Sequence, residues 1–461
     1  MTPFPSTHPS FADYRQHVDQ IVMAALAAAD PEAAVDRYLQ RDGRQILAGD
    51  MSKPSRIDLD DGRLFLIAVG KAAVPMAHSA LGTIGDDLAG GGILTKRGER
   101  DWEAETRDWP VALYQGAHPI PDESSLAGTQ AIIDLLEQTQ ANDTVICLIS
   151  GGASSLLTRP LVPLLDWQKL IELLLKSGGA IGEINAVRRA VDRIKSGGLA
   201  RAAAPAMCYG LILSDVVGNP LNIIGGGPTV PETDLVVSAV TVLGRYDIAR
   251  KLERDEWQRL AIALNQSRYL HKNPRPIVRN TIIGDVRGAA MAAQVRAIQL
   301  GFVGQLLTAY MDGEARTIGR LAGAIARDLP PEHCIVMGGE TTVSIRGKGM
   351  GGRSQELALA AAISLDRGPR AVIACFGTDG EDGPTPAAGA VIHNDTARLA
   401  RSHGLDPVAF LANNDSHTFF NQLDETVRGR SEPHLIITGP TGTNVNDLVV
   451  ILSYGEQGVK G

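Results

Sequence analysis

One repeating pattern decides what this chain can fold into. Short apolar runs end in Gly, Ser or Asp, and a segment of helical periodicity follows. Leu64–Val69 ends at Gly70-Lys71, Val145–Ile149 at Ser150-Gly151-Gly152-Ala153-Ser154-Ser155, and Tyr209–Leu213 at Ser214-Asp215. Further on, Thr281–Ile283 ends at Gly284-Asp285, Ile335–Met337 at Gly338-Gly339-Glu340, Val372–Phe376 at Gly377-Thr378-Asp379-Gly380, and Leu435–Ile437 at Thr438-Gly439-Pro440. Continuous apolar strands alternating with helices predict an α/β fold: largely parallel sheets covered by helices on both faces, in three α/β/α layers. Ligands of such sheets bind beyond the carboxyl ends of the strands. Every Gly-rich or acidic tail above falls there, which favours an enzyme or binder over a scaffold.

The densest tail is Met337–Glu356. It holds six glycines, Arg346, Lys348, Arg353 and Glu340, and leads into a helix expected to start near Arg353. Glycine N–H groups can turn toward an anion, a helix N-terminus adds positive potential, and arginine suits bidentate phosphate contact. A phosphate site is the first expectation. Gly347–Gly352 also satisfies G-x-G-x-x-G, but Thr341–Arg346 before it alternates apolar and polar residues. That is a half-solvated strand, whereas a dinucleotide site needs a buried one.

With 461 residues, 44% of them hydrophobic, two to three domains with real cores are expected, and a net charge of −8 without a long basic run argues against nucleic acid. Cys147, Cys208, Cys334 and Cys375 each sit in an apolar run, with no C-x-x-C, so they read as reduced, buried packing residues of a cytoplasmic protein. The start, Met1–Ser10, lacks the basic and apolar regions of a signal peptide, and no apolar run approaches the roughly 20 residues that span a bilayer.

Residues 11–29 read as a helix with Ile21, Val22, Ala25 and Leu26 on one side. Asp30-Pro31-Glu32 starts a second, expected over 31–48, and 49–63 is polar. Residues 183–203 read as one long amphipathic helix, broken at Gly197-Gly198, with Val187, Val191 and Ile194 as its core stripe. Val236–Tyr269 is helical and His271–Pro276 a connector, so a domain boundary is expected between 235 and 280.

Lys71 stands between a buried strand and a helix, where a lysine can meet an anion; the plain alternative is a solvated loop residue. Ser150–Ser155 offers two glycines and three hydroxyls as a phosphate cradle, or a tight turn. It is not a Walker A loop, since no Gly-Lys-Ser/Thr closes it. Asp215 can hold Mg²⁺ or take a hydroxyl proton, with Glu340, Asp379 and Asp382 as alternative carboxylates. His118 and His393 lack metal-site spacing and read as loop hydrogen-bonders.

In combination these motifs resemble the glycerate 2-kinases with a MOFRL-type C-terminal domain, often labelled hydroxypyruvate reductases. The match runs from about Phe11 to Leu452. It rests on Val69–Ala73, Gly116–Pro119, Leu148–Ser155, Asn185 with Val187-Arg188 and Ile194-Lys195, Ser214–Gly218, Gly227–Thr229, Gly338–Glu340, Gly351–Arg353 with Gln355-Glu356, Thr378–Gly380, Asn414–Ser416 and Gly439–Asp447. The resemblance implies two α/β domains, 1–250 and 275–461, with an active-site cleft between them. It implies transfer of the ATP γ-phosphoryl to the C2 hydroxyl of D-glycerate with Mg²⁺. Lys71 and Arg353 fall on the family's central cations, and Asp215 would hold the metal or orient the hydroxyl. Ser150, Gly151, Gly152, Ser154, Ser155, Asn185, Arg188, Lys195, Ser214, Gly338, Gly339, Glu340 and Asp379 would bind substrate or nucleotide. Departures are Arg189–Asp192 in place of Lys-His-Leu-Ser, Asn219 and Asp285 in place of Asp and Asn, and Gly226 in place of Ser. An NAD(P)H-dependent reductase and a non-catalytic hydroxy-acid sensor are the alternatives. No nucleic-acid or membrane partner is expected, and the oligomeric state stays open.

Overall fold

The computed structural model describes residues 9–455 apart from 99, 179–180, 233–234, 271–275 and 430–431. The chain start, Met1–His8, and the expected connector, save Pro276, lie outside the described residues. The chain forms two compact units, Pro31–Ile283 and Met1–Asp30 with Gly284–Gly461. The divide falls at 30 and 283, not at 250 and 275. Helix Tyr14–Ala29 belongs with the C-terminal half because its residues pack there: His17 Nδ1 lies 3.0 Å from the Tyr454 hydroxyl, and Arg15 Nη1 donates to the Pro433 carbonyl at 2.6 Å.

In unit Pro31–Ile283, helix Pro31–Tyr38 is short. Strands β1 (Leu39–Asp42), β2 (Gln45–Ala48) and β3 (Ser55–Asp58) follow as an antiparallel sheet, where a helix and a polar stretch were expected. The cause is local: Asp42 pairs with Gln45 around Gly43, whose φ of 60° suits a tight hairpin turn. The main sheet contains β4 (Leu64–Val69), β5 (Leu88–Lys96), β6 (Ala112–Gly116), β7 (Thr144–Ile149), β8 (Met207–Leu213) and β9 (Ile277–Gly284), in the order β6-β5-β4-β7-β8-β9. β4 to β8 are mutually parallel, as their apolar sequences require. Phe65, Ile67, Val69, Val145, Cys147, Ile149, Cys208 and Ile212 face helices Glu123–Leu136 and Gly198–Ala203; helix Ala73–Ile84 covers the other side.

The long helix expected over 183–203 stops at Ala190, and Gly198–Ala203 is a separate element. Its supposed stripe divides between two cores. Val187 and Val191 join a helical cluster built from Leu164–Lys176, Leu235–Arg245 and Arg254–Leu270, whereas Ile194 joins the sheet core. The buried Asp192 carboxylate enforces the break by accepting from Thr158 Oγ1 and from the Arg159 and Ile194 N–H groups.

The second unit has a six-stranded sheet of β10 (Val303–Glu314), β11 (His333–Thr342), β12 (Ala371–Gly377), β13 (Gly389–His393), β14 (Leu435–Ile436) and β15 (Asp447–Ser453), ordered β10-β11-β15-β12-β13-β14. β10, β11, β12 and β14 share one direction, while β13 and β15 run against them. Alternate residues face opposite layers. Ile335, Met337, Ile373, Cys375, Val449 and Ile451 pack on helices Arg353–Leu365 and Ser416–Val427. Helix Val286–Gln299 lies on the other face, with Val286 beside Gly338. All four cysteines are buried free thiols, and burial pushes Cys334 up to about 12. No helix among the described residues is long and apolar enough to cross a membrane.

Candidate active site

In unit Pro31–Ile283 the carboxyl ends of β4, β7 and β8 lie side by side, bringing Gly70-Lys71, Ser150–Gly152 and Ser214-Asp215 together. The Lys71 N–H donates to the Gly151 carbonyl at 2.8 Å, and the Ala72 N–H donates to Ser150 Oγ at 3.1 Å. Gly151 turns its α-carbon onto Asp215, so a Cβ there would collide with the carboxylate. Gly152 has φ 83° and sits against Lys71 and His118; an added Cβ would lie 3.1 Å from Lys71 Cγ and 3.3 Å from the His118 ring. Lys71, His118 and Asp215 therefore surround one two-glycine turn, and all three are half-buried. In the sequence His118 reads as a loop hydrogen-bonder, because its approach to Gly152 is a tertiary contact.

The hydroxyls expected to cradle phosphate are mostly engaged elsewhere. Ser150 Oγ receives the Ala72 N–H, Ser155 Oγ donates to the Gly152 carbonyl at 3.2 Å, and Ser214 Oγ donates to the Val216 carbonyl at 3.2 Å. These three serines shape the turn, leaving Ser154 as the loop's half-buried serine. Lys195 is fully buried, so its expected contact with substrate gives way to an internal one. Its Nζ donates to the Ser154 and Leu157 carbonyls, both at 2.6 Å, and lies 3.4 Å from the Gly225 carbonyl. Burial and the nearby Arg188 charge pull this lysine down to about 8, against the opposing Asp192. Asn185 and Arg188 lie one turn apart on helix Ile181–Ala190. Asn185 Oδ1 is buried and meets no donor among the described residues; burial lowers Arg188 from its ordinary value.

The second unit overturns the leading expectation for the glycine stretch. Arg346 and Gly347 N–H both donate to Asn414 Oδ1 at 2.7 and 3.0 Å, and Lys348 N–H donates to Asn413 Oδ1 at 3.1 Å. Gly349 N–H donates to the Asn413 carbonyl at 3.0 Å, and Met350 N–H to Asp415 Oδ1 at 2.9 Å. The backbone donors of Arg346–Met350, which a phosphate or dinucleotide loop would need, are thus already held by Asn413-Asn414-Asp415. Gly347 and Gly349 are glycines because a Cβ would strike Asn413 and Asp415. The N-terminus of helix Arg353–Leu365 is occupied as well: the buried Asp382 carboxylate accepts from the Ser354 N–H at 3.0 Å and the Gln355 N–H at 2.8 Å. Gly338 and Gly339 are not a loop; they lie inside β11, paired with Leu448 and Asp447.

The stretch contributes Arg353. Its Nε lies 2.6 Å from Asp447 Oδ2, its Nη2 3.0 Å from Asp447 Oδ1, and its Nη1 2.6 Å from Glu340 Oε1. Burial opposes the arginine's charge, but Asp447 and Glu340 outweigh it and hold the guanidinium above its usual range. Burial raises Asp447 to about 7. Arg353 pulls it down, but Asp382 and Glu340 push it up again. Asp379 follows β12, whose last residue Gly377 pairs with Asp447, so its carboxylate is close to the same place. Asp447 belongs to a motif noted in the sequence, yet its pairing with a residue 94 positions earlier has no local signal.

Residues 17–261 match the family described as "Domain of unknown function (DUF4147)", and residues 333–447 match the MOFRL family. The chain is 37% identical over 441 residues to the D-glycerate 2-kinase of Thermotoga maritima, covering 94% of this chain and 96% of that protein. It is 34% identical to the glycerate 2-kinase of Pyrococcus horikoshii, covering 97% and 99%, and 35% identical to human glycerate kinase, covering 93% and 91%. The crystal structure of Thermotoga maritima glycerate kinase superposes with a TM-score of 0.80 at 34% identity, over 96% of this chain and all of that one. A Pyrococcus horikoshii protein structure superposes equally well, with a TM-score of 0.80 at 33% identity. With both halves matched and relatives aligned along nearly their whole length, this chain belongs to the glycerate 2-kinase family with a MOFRL C-terminal domain.

Proposed function

We propose that this protein transfers the γ-phosphoryl group of ATP to the C2 hydroxyl of D-glycerate. The observation that carries the reading is the gathering of Lys71 and Asp215 around Gly151-Gly152 at adjacent strand ends, in a chain aligned along 94% of its length with a D-glycerate 2-kinase. Phosphoryl transfer asks for placement and charge stabilisation more than covalent chemistry. Lys71 is the fixed cation at the Gly151-Gly152 turn, and Arg353 is the second unit's candidate cation for phosphate oxygens. Asp215 either orients the acceptor hydroxyl and takes up its proton as the new P–O bond forms and the γ-phosphorus bond to ADP breaks, or holds the Mg²⁺ that accompanies the nucleotide. Asn185 and Arg188 are candidates for the hydroxy-acid itself, an amide oxygen for a hydroxyl and a guanidinium for the carboxylate.

The described residues contain no cluster of three or more His, Cys, Asp or Glu that could hold a metal. That suits Mg²⁺ arriving with the nucleotide, since Mg²⁺ commonly takes one or two carboxylates and keeps phosphate and water as its other ligands. Asp215, beside the turn, fits as that single carboxylate. Bound there, the ion would neutralise phosphate charge.

³¹P NMR of the purified protein with ATP, Mg²⁺ and D-glycerate tests the reading. The expected product is 2-phosphoglycerate; formation of 3-phosphoglycerate would refute the regiochemistry, and no ADP release would refute the kinase. NADH oxidation by hydroxypyruvate without ATP would favour the reductase. The occupied N–H groups of Gly347–Met350 speak against that alternative.

A further inference from the structure

The guanidinium of Arg353 projects from the first residue of a helix, a position with no intrinsic reason to aim it anywhere. Its aim comes from Asp447. This aspartate opens β15, the strand between β11 and β12, and is paired with Gly339 on one side and Gly377 on the other. A residue so placed in the middle of a sheet is as fixed as the fold allows. Its Oδ1 accepts a hydrogen bond from Arg353 Nη2, while its Oδ2 lies 2.6 Å from Nε as an ion-pair contact without hydrogen-bond geometry, which leaves Nη1 for the more exposed Glu340. A directional hydrogen bond beside a close ion pair sets direction as well as distance, which a single point charge does not.

The charges around Asp447 make this a demanding arrangement. Arg353 faces it from the helix, Glu340 from β11, and Asp379 and Asp382 from the segment after β12, while the Cys375 thiol lies on β12 itself. Three further carboxylates lie around this buried one, and Arg353 is the cation paired with it. A chain selected for stability alone has no use for an ionised aspartate there; a chain that needs a guanidinium held at one angle does.

We infer that Asp447 is a positioning residue for phosphoryl transfer, holding the Arg353 guanidinium at the angle from which it meets the transferring group. The inference rests on the kinase reading above. It adds that the second unit supplies an oriented cation, not a phosphate-binding loop.

The test uses full-length wild type, Asp447→Asn, Arg353→Ala and the double variant, assayed with ATP, Mg²⁺ and D-glycerate. No wild-type turnover overturns the kinase reading and this inference with it. With turnover present, Asp447→Asn is expected to lower kcat on the order of 10–10²-fold while KM for both substrates stays within about twofold. In the Arg353→Ala background the same change is expected to cost less than about twofold, because a residue acting through Arg353 has nothing left to act through. Equal losses in both backgrounds, or no loss in the single variant, overturn the inference while leaving the kinase reading intact. Should Asp447→Asn fail to fold, Arg353→Lys carries the test, since it keeps a cation beside Asp447 without the directional contact. Turnover near wild type in that variant overturns the inference, and a loss on the order of 10²-fold supports it.

Discussion

The Lys195 ammonium donates to the Ser154 carbonyl at 2.6 Å in a place with no exposed surface. The same ammonium reaches Leu157, so one buried cation pins the short helix Ala153–Leu156 that follows the Gly151-Gly152 turn. Lys195→Met removes these donors but keeps most of the packing, and should cost about 1–3 kcal/mol at pH 7. The pH dependence has a definite sign. The folded lysine titrates near 8, below its ordinary 10.5, so the unfolded chain binds more protons between those values. Wild-type stability, relative to the variant, should rise as pH climbs from 8 to 10.5 and fall back as pH drops through 8. Denaturant melts of both proteins across that range check it; a gap that narrows with rising pH contradicts it.

Asp447 behaves in the opposite sense. Its folded value near 7 exceeds its ordinary 3.8, so its contribution to stability is fully present below pH 4 and lost as pH rises through 7. Asparagine resembles the neutral form. Asp447→Asn should therefore equal or exceed wild type at pH 8, by about 1–3 kcal/mol, while the difference shrinks toward pH 4. A variant markedly less stable than wild type at pH 8 would show that the ion pair with Arg353 dominates instead.

Gly151→Ala tests the first unit. The new methyl has no room beside the Asp215 carboxylate. Glycerate phosphorylation should fall on the order of tenfold or more with only a small change in melting temperature, because the displaced group lies at a strand end and not in the core. Unaltered turnover would remove Asp215 from the reaction.

Asn414→Ala tests the hold of the Asn413–Asp415 turn on the Arg346–Met350 backbone. It strips a shared acceptor from two N–H groups and a donor from the buried Glu356 carboxylate. A loss of about 1–3 kcal/mol is expected. Hydrogen exchange should speed up first at the Arg346–Met350 amides; slow exchange there would mean that Asn413 and Asp415 suffice.

What could be read in advance follows the range of the interactions. Apolar runs such as Val145–Ile149 announce buried strands, because a parallel sheet hides both faces, and the residues after them sit where ligands bind. The hairpin at Asp42–Gln45 has only Gly43 as its local signal, and the helical pattern before it runs past the helix end at Tyr38. Lys195 looked like a ligand-binding cation because nothing near it in sequence shows that its partners are carbonyls 38 and 41 residues away. The Gly347–Gly352 stretch misled for a related reason. Glycine permits close approach to any backbone, and here the neighbour is the protein's own Asn413–Asp415 turn instead of a phosphate. Lys71 lies between β4 and helix Ala73–Ile84, and Arg353 opens its helix, both as the local pattern predicts; the partners that aim Arg353 come from β11 and β15 and leave no trace at its own position.

The placement of β15 has a consequence for synthesis. Unit Pro31–Ile283 has all its strands in hand once residue 284 has emerged from the ribosome, so it can close early. The other unit cannot. Its middle strand is also the last of its strands to be translated, and until Asp447–Ser453 appears, β11 and β12 have no neighbour between them and helix Tyr14–Ala29 must wait. The nascent chain therefore carries an unmatched pair of sheet edges from the completion of β12 at Gly377 until β15 begins at Asp447, an interval in which chaperone holding would matter most and a truncated product would be aggregation-prone.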